Sequence, residues 1–206
     1  MIVRTLPVGM IQTNCYVVGC EETHKAVVID PGGDADVIVG VVESNDLDVL
    51  YVLNTHCHFD HIGANSQVLA ATGAKLALHP AEIPALQSGG GAALFGIPLV
   101  KSPDPDVHLR DGQSLTVGSL CFEVLLTPGH SPGGVSFYVA EERAVFVGDT
   151  LFSGGVGRTD LPGGNPAELM VSIQNVLFVL PSSTVVYPGH GPATTIDREK
   201  RTNPWV

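Results

Sequence analysis

Short β-branched runs separated by Gly, Asn and Glu open the chain, at residues 2–6, 15–18 and 26–29, and they predict a small antiparallel sheet. Residues 34–44 have a polar start and helical length, and 49–53 read as the next strand. A helix over 65–71, closed by Gly73, and a strand over 75–78 follow. Between 88 and 105 Gly, Pro and Ser are dense and no period survives, which predicts a long surface loop of the kind that often covers an active site. The second half repeats the order, with a hairpin of 114–117 and 120–126, strands at 135–139 and 144–147, a helix over 166–179 and a strand over 184–187. Two halves of strands then helix, with no Ser- or Pro-rich linker, predict one α/β domain over 1–206. In it two sheets pack face to face and helices cover the outside.

The polar residues fall at the ends of the apolar runs. Strand 49–53 leads into Asn54-Thr55-His56-Cys57-His58-Phe59-Asp60-His61, and strand 120–126 into Thr127-Pro128-Gly129-His130. Strand 144–147 leads into Gly148-Asp149, and strand 184–187 into Pro188-Gly189-His190. If these strands are neighbours, their ends converge on one edge, where loops on a rigid scaffold display catalytic groups. His and Asp without Cys suit zinc, manganese or iron. In an extended turn His56 and His58 point the same way and can hold one ion, while Asp60 and His61 reach a second about 3.5 to 4 Å away. His130 completes the first set, His190 the second, and Asp149 can bridge the two. His24, His79 and His108 lie outside the pattern and read as packed or surface residues. Cys57, inside it, reads as a packing residue.

Composition narrows the function further. A formal net charge of −11 argues against polyanion binding, so no nucleic-acid partner is expected. No apolar run reaches the about 20 residues of a membrane span, and the first residues do not form a leader, so neither a membrane association nor export is expected and the location reads as cytoplasmic. Cys15, Cys20, Cys57 and Cys121 form no Cys-x-x-Cys pair and suggest neither a disulfide framework nor a thiolate zinc site.

The string Thr55-His56-x-His58-x-Asp60-His61, then Pro128-Gly129-His130, Gly148-Asp149 and Pro188-Gly189-His190-Gly191, resembles the metallo-β-lactamase superfamily across nearly the whole chain. Gly148-Asp149-Thr150-Leu151-Phe152, Gly157-Arg158-Thr159-Asp160 and Arg201-Thr202-Asn203-Pro204-Trp205 resemble its single-domain, glyoxalase II-like (hydroxyacylglutathione hydrolase-like) branch. The resemblance implies a four-layer αββα sandwich and two divalent metal ions, zinc foremost, with iron or manganese as alternatives. It also implies a small-molecule thioester substrate such as S-lactoylglutathione. Asp30-Pro31-Gly32-Gly33 resembles the superfamily's first motif, in which the Asp supports the metal loop from behind without touching metal. A plain turn would use the same residues.

The implied mechanism needs no Ser or Cys nucleophile. A hydroxide held between the ions, available because they lower the pKa of bound water to about 7, attacks the acyl carbon, and Asp60 can orient it. Full-length glyoxalase II enzymes carry an added helical domain with basic residues for the glutathione carboxylates, which has no counterpart here; Arg158 and Lys101 are the candidate anion contacts. Three rivals remain. Persulfide dioxygenases of the same superfamily share Thr-His-Cys-His-x-Asp-His and Gly-Arg-Thr-Asp and use one iron on residues matching His56, His130 and Asp149. β-Lactam or lactone hydrolysis runs on the same scaffold, although zinc β-lactamases commonly replace the bridging aspartate. A decayed, non-enzymatic scaffold has little support, since every ligand position holds a competent residue.

Overall fold

The computed structural model describes residues 1–98 and 101–206 and divides into two compact units, Met1–Leu109 with Thr116–Leu120, and Arg110–Leu115 with Cys121–Val206. In the first unit β1 (Ile2–Val8), β2 (Thr13–Gly19) and β3 (Lys25–Ile29) form the expected antiparallel meander, with Val8 opposite Thr13 and Tyr16 opposite Ile29. Helix α1 (Ala35–Ser44) then returns the chain so that β4 (Asp48–Leu53) lies parallel to β3. A single turn, α2 (Phe59–Ile62), and helix α3 (Asn65–Thr72) lead to β5 (Lys75–Leu78), again parallel. Gly73, at φ +69°, ends α3 in the left-handed conformation that a residue without Cβ adopts most readily.

The sheet is therefore mixed rather than simply antiparallel. Its order is β1-β2-β3-β4-β5-β6, with β6 (Val107–His108) parallel to β5. Alternate residues on one face, Val17, Val28 and Val52 among them, meet Ile38 and Val42 of α1 and Val68 of α3. Their intervening neighbours Val18, Val27 and Leu53 are buried as well, so these strands are apolar on both faces.

The stretch between 79 and 98 differs from expectation. A 3-10 turn (Pro80–Glu82), helix α4 (Ile83–Gln87) and a second 3-10 turn (Ala92–Phe95) occupy much of it. The loop expected over 88–105 thus contains a helical turn, and two of its residues, 99 and 100, lie outside the described residues. Short 3-10 turns are too brief to leave a hydrophobic period in the sequence.

In the second half of the chain β7 (Ser114–Val117), whose end belongs to the first unit, β8 (Leu120–Leu126), β9 (Val135–Val139) and β10 (Ala144–Gly148) precede a small ribbon of β11 (Leu151–Phe152) and β12 (Gly155–Val156). Helix α5 (Pro166–Val171) continues into wider π turns over Ser172–Leu177, and β13 (Val185–Pro188), β14 (Thr194–Thr195) and α6 (Ile196–Thr202) complete the chain. The sheet order is β14-β13-β10-β9-β8-β7. Val145, Val147 and Val186 pack against Leu169, Ile173, Leu177 and Ile196 of the helices. No described helix is long and apolar enough to cross a membrane.

Strand direction is what positions the site. β9 is antiparallel to both β8 and β10, and β13 is parallel to β10. Strands β8, β10 and β13 therefore run the same way and release His130, Asp149 and His190 at one edge. In the first unit β3 and β4 are parallel, so Asp30 and His56 leave their sheet at one edge too.

Candidate metal centre

In the first unit the anchor is Asp30, buried and held at φ +52° directly after β3. Its carboxylate accepts from the Thr55 backbone N–H (2.8 Å), the Thr55 hydroxyl (2.6 Å) and His61 Nδ1 (2.9 Å). A carboxylate only accepts, so Nδ1 of His61 carries the proton and Nε2 is the nitrogen left for a ligand role. Nε2 lies 3.2 Å from Asp60 Oδ2. His56 is set through the same anchor: its Nδ1 lies 3.0 Å from Thr55 Oγ1, whose proton goes to Asp30. Asp30, His56 and His61 also lie close enough to be read as a metal-binding trio. The hydrogen bonds into Asp30 account for that closeness without an ion.

The His-rich segment is not one extended turn. His56 to His58 is extended, with the two rings 4.7 Å apart and edge-on, and α2 then coils Asp60 and His61 so that the His61 ring comes 4.0 Å from that of His56. The segment is clamped from behind by residues that carry no sequence motif. The buried carboxylate of Glu82 accepts from Cys57 N–H (2.9 Å), and Phe59 N–H donates to Gly90 O (2.9 Å). A Cβ on Gly90 would sit 2.4 Å from Phe59 N and 2.5 Å from Cys57 O, so only glycine fits. Gly32 lies closer still, since a Cβ there would meet Asp60 O at 1.6 Å. Cys57 belongs to the apolar core, and burial pushes its thiol well above the ordinary range.

In the second unit, His130 Nδ1 donates to the carbonyl of Arg158 (2.7 Å), again reserving Nε2. The Nε2 atoms of His130 and His190 each lie 3.7 Å from the same atom, Asp149 Oδ2. Gly189 N–H to Gly148 O (2.7 Å) ties the two strand ends together. Gly157 has no room for a Cβ, which would fall 1.8 Å from Asp149 O and 3.2 Å from His130 Nδ1. Asn165 caps α5 by accepting from Ala167 and Glu168 N–H, while its own N–H binds Gly129 O, pinning the helix beneath the His130 loop.

These separations fit ligands that share an ion. The 3.7 Å spacings are too long for hydrogen bonds, and ligand arms of about 2.0 Å in tetrahedral geometry put neighbouring donors about 3.3 Å apart. His61, His56 and His130 each have Nδ1 committed elsewhere, the arrangement that metal-binding imidazoles adopt.

The two candidate anion contacts turn out differently. The Arg158 guanidinium makes two 2.7 Å bonds to Asp160, and this pairing pulls the Asp160 carboxyl down to about 2. What Arg158 brings to His130 is its carbonyl. Lys101 is exposed, and what it offers its neighbours is likewise a carbonyl, which accepts from Ser66 Oγ (2.7 Å).

The sequence profile of the Metallo-beta-lactamase superfamily matches residues 8–190. Among similar proteins, the probable metallo-hydrolase YqgX of Bacillus subtilis is 40% identical over 98% of this chain and 96% of its own length. Hydroxyacylglutathione hydrolase GloC of Haemophilus influenzae is 36% identical over 100% and 98%. Among solved structures, the BLEG-1 B3 metallo-beta-lactamase superposes with a TM-score of 0.94 at 42% identity, covering 99% of each chain. TTHA1623 in a di-iron-bound form gives 0.89 at 40% identity over 100% of each. The α/β architecture with mixed sheets is thus the fold of that superfamily.

Proposed function

From the premise that the chain belongs to the metallo-β-lactamase superfamily, as a metal-dependent hydrolase, we propose that it cleaves a small-molecule thioester in the manner of glyoxalase II. In this reading the two units act as one domain and their ligands form one dinuclear centre. His56, His58 and His130 hold one ion, Asp60, His61 and His190 the other, and Asp149 is shared. The observation that supports it is the common 3.7 Å distance of His130 Nε2 and His190 Nε2 from Asp149 Oδ2, the spacing expected if one carboxylate oxygen is shared by the two proposed ligand sets. Bound there, two divalent ions would polarise an acyl carbonyl and supply a hydroxide at neutral pH.

The protein's own contribution is orientation. Asp30 fixes His61 and, through Thr55, His56; the Arg158 carbonyl fixes His130; Asp60 orients the attacking water. Water adds to the acyl carbon, the C–S bond breaks, and the sulfur leaves as a thiolate that takes up a proton to give the free thiol.

The thioester reading draws support from the likeness to GloC, whose name describes hydroxyacylglutathione hydrolysis. Zinc is the proposed metal; the di-iron form of TTHA1623 makes iron the alternative. Four free cysteines suit a cytoplasmic location. The test is a substrate panel at fixed metal content. Turnover of S-lactoylglutathione at least tenfold above that of a β-lactam, a lactone and a glutathione persulfide supports the reading; preferred turnover of any of the other three replaces it.

A further inference from the structure

We infer that Thr13 is a positioning residue for the Asp60 carboxylate, and that its hydroxyl selectively strengthens metal binding at the ion position shared by Asp60 and His61. The inference rests on the dinuclear reading above and adds to it a residue that lies 47 positions away along the chain.

Thr13 opens β2, opposite Val8, after a tight turn closed by Gln12 N–H to Gly9 O. Its side chain is fully buried, and a buried hydroxyl needs a partner. The partner is Asp60: Thr13 Oγ1 donates to Oδ2 at 2.8 Å, a bond strengthened by the charge on the acceptor.

The same aspartate is gripped at its backbone, where Asp60 O sits against Gly32 so closely that no Cβ could intervene. A Cβ at Gly32 would also touch Thr13 Cβ at 3.4 Å, so the backbone contact and the hydroxyl contact come from adjacent groups. Carbonyl and carboxylate of one residue are thereby fixed together, which leaves the side chain little rotational freedom.

The fixed oxygen is the one that matters for the second ion. Asp60 Oδ2 lies 3.2 Å from His61 Nε2, the nitrogen remaining after Nδ1 donates to Asp30. Thr13 and Asp30 thus orient the two members of one ligand pair from opposite ends of the network. The Thr13 hydroxyl engages one lone pair of Oδ2, and another remains for an ion. The Thr13 hydroxyl donates to Asp60, which the dinuclear reading assigns to the second ion alone, so the first ion position should not feel its loss.

The test titrates metal-free protein with zinc chloride against a competing chelator, for wild type, Thr13→Val, Thr13→Ser and Thr13→Ala, with the melting temperature of each metal-free protein measured alongside. Wild type is expected to take two equivalents. Thr13→Val, which keeps the shape and removes the donor, is expected to bind the second equivalent about 10- to 100-fold more weakly and the first unchanged. Thr13→Ser, which restores the hydroxyl, is expected to return to within about threefold of wild type. If Thr13→Val does not fold, Thr13→Ala takes its place in the comparison.

Unchanged binding of both equivalents in Thr13→Val overturns the inference while leaving the dinuclear centre standing. So does an equal loss of both, or a Thr13→Ser protein as weak as Thr13→Val. Wild type that takes fewer than two equivalents removes the dinuclear reading and this inference together.

Discussion

Asp30 supports the candidate centre from behind, because one buried carboxylate orders Thr55, His61 and, indirectly, His56. Replacing it by Asn keeps the shape but leaves at least one of three donors facing an amide NH2, which cannot accept. Asp30→Asn should lower metal affinity about 10- to 100-fold and stability by about 1–3 kcal/mol, measured by chelator competition and by urea unfolding of the metal-free protein. Equal affinity in both proteins would remove Asp30 from the support of the site. At the edge of the site, the Asp160 carboxyl should titrate near pH 2, and Arg158→Gln should return it toward its ordinary value, as followed by carbon NMR. The sign follows from the depressed value: the pair favours the folded state above the ordinary carboxylate range, and that contribution fades as pH falls through about 2. The candidate ligands were legible because several histidines and aspartates, each following an apolar strand, form a pattern that packing and solvation alone rarely produce. Thr13, Glu82 and Gly90 were not, since each reaches the site from a remote segment and carries no local pattern of its own.

Among the elements, the histidine loop depends on how the segment after β5 packs behind it. Gly90 has φ +63° and faces the backbone of residues 57–59, whereas Gly96 has φ +67° and a Cβ there would meet nothing within 4 Å among the described residues. Gly90→Ala should therefore cost about 2–4 kcal/mol, combining backbone strain with overpacking, and Gly96→Ala only about 1 kcal/mol of strain. Equal costs in urea unfolding would show that the close approach behind the loop contributes nothing. Elements with a full period of buried residues were readable from the sequence, as α1 and the strands from β1 to β5 show. The single turn α2, the 3-10 turns and the last pair β14 and α6 were not, because they are short or, in α6, largely polar with only Ile196 and Glu199 buried. The parallel pairing of β3, β4 and β5 was hidden by a different cause: pairing partners depend on where intervening helices return the chain, which no run of residues records.

For the whole molecule, the direction of the strands in each sheet decides where the chemistry sits. Each sheet delivers its polar groups at the carboxyl ends of like-directed strands, β3 and β4 in one and β8, β10 and β13 in the other. That the strand ends carry ligand-type residues was evident from sequence; that they leave at common edges required the pairing. The net charge of −11 includes the carboxylates proposed to face metal, so metal removal should raise their mutual repulsion and lower stability. The melting temperature should fall on chelation and recover on adding zinc; an unchanged value would mean that the folded chain gains nothing from metal.

The most direct test of the dinuclear centre is the metal-to-protein ratio by elemental analysis, for wild type and for Asp149→Ala purified side by side. Two ions per wild-type chain and a marked loss in Asp149→Ala are expected, because the proposed centre shares that carboxylate between both ligand sets. A wild-type chain that holds a single ion at saturation, or an Asp149→Ala chain that keeps two, would rule the shared-carboxylate centre out.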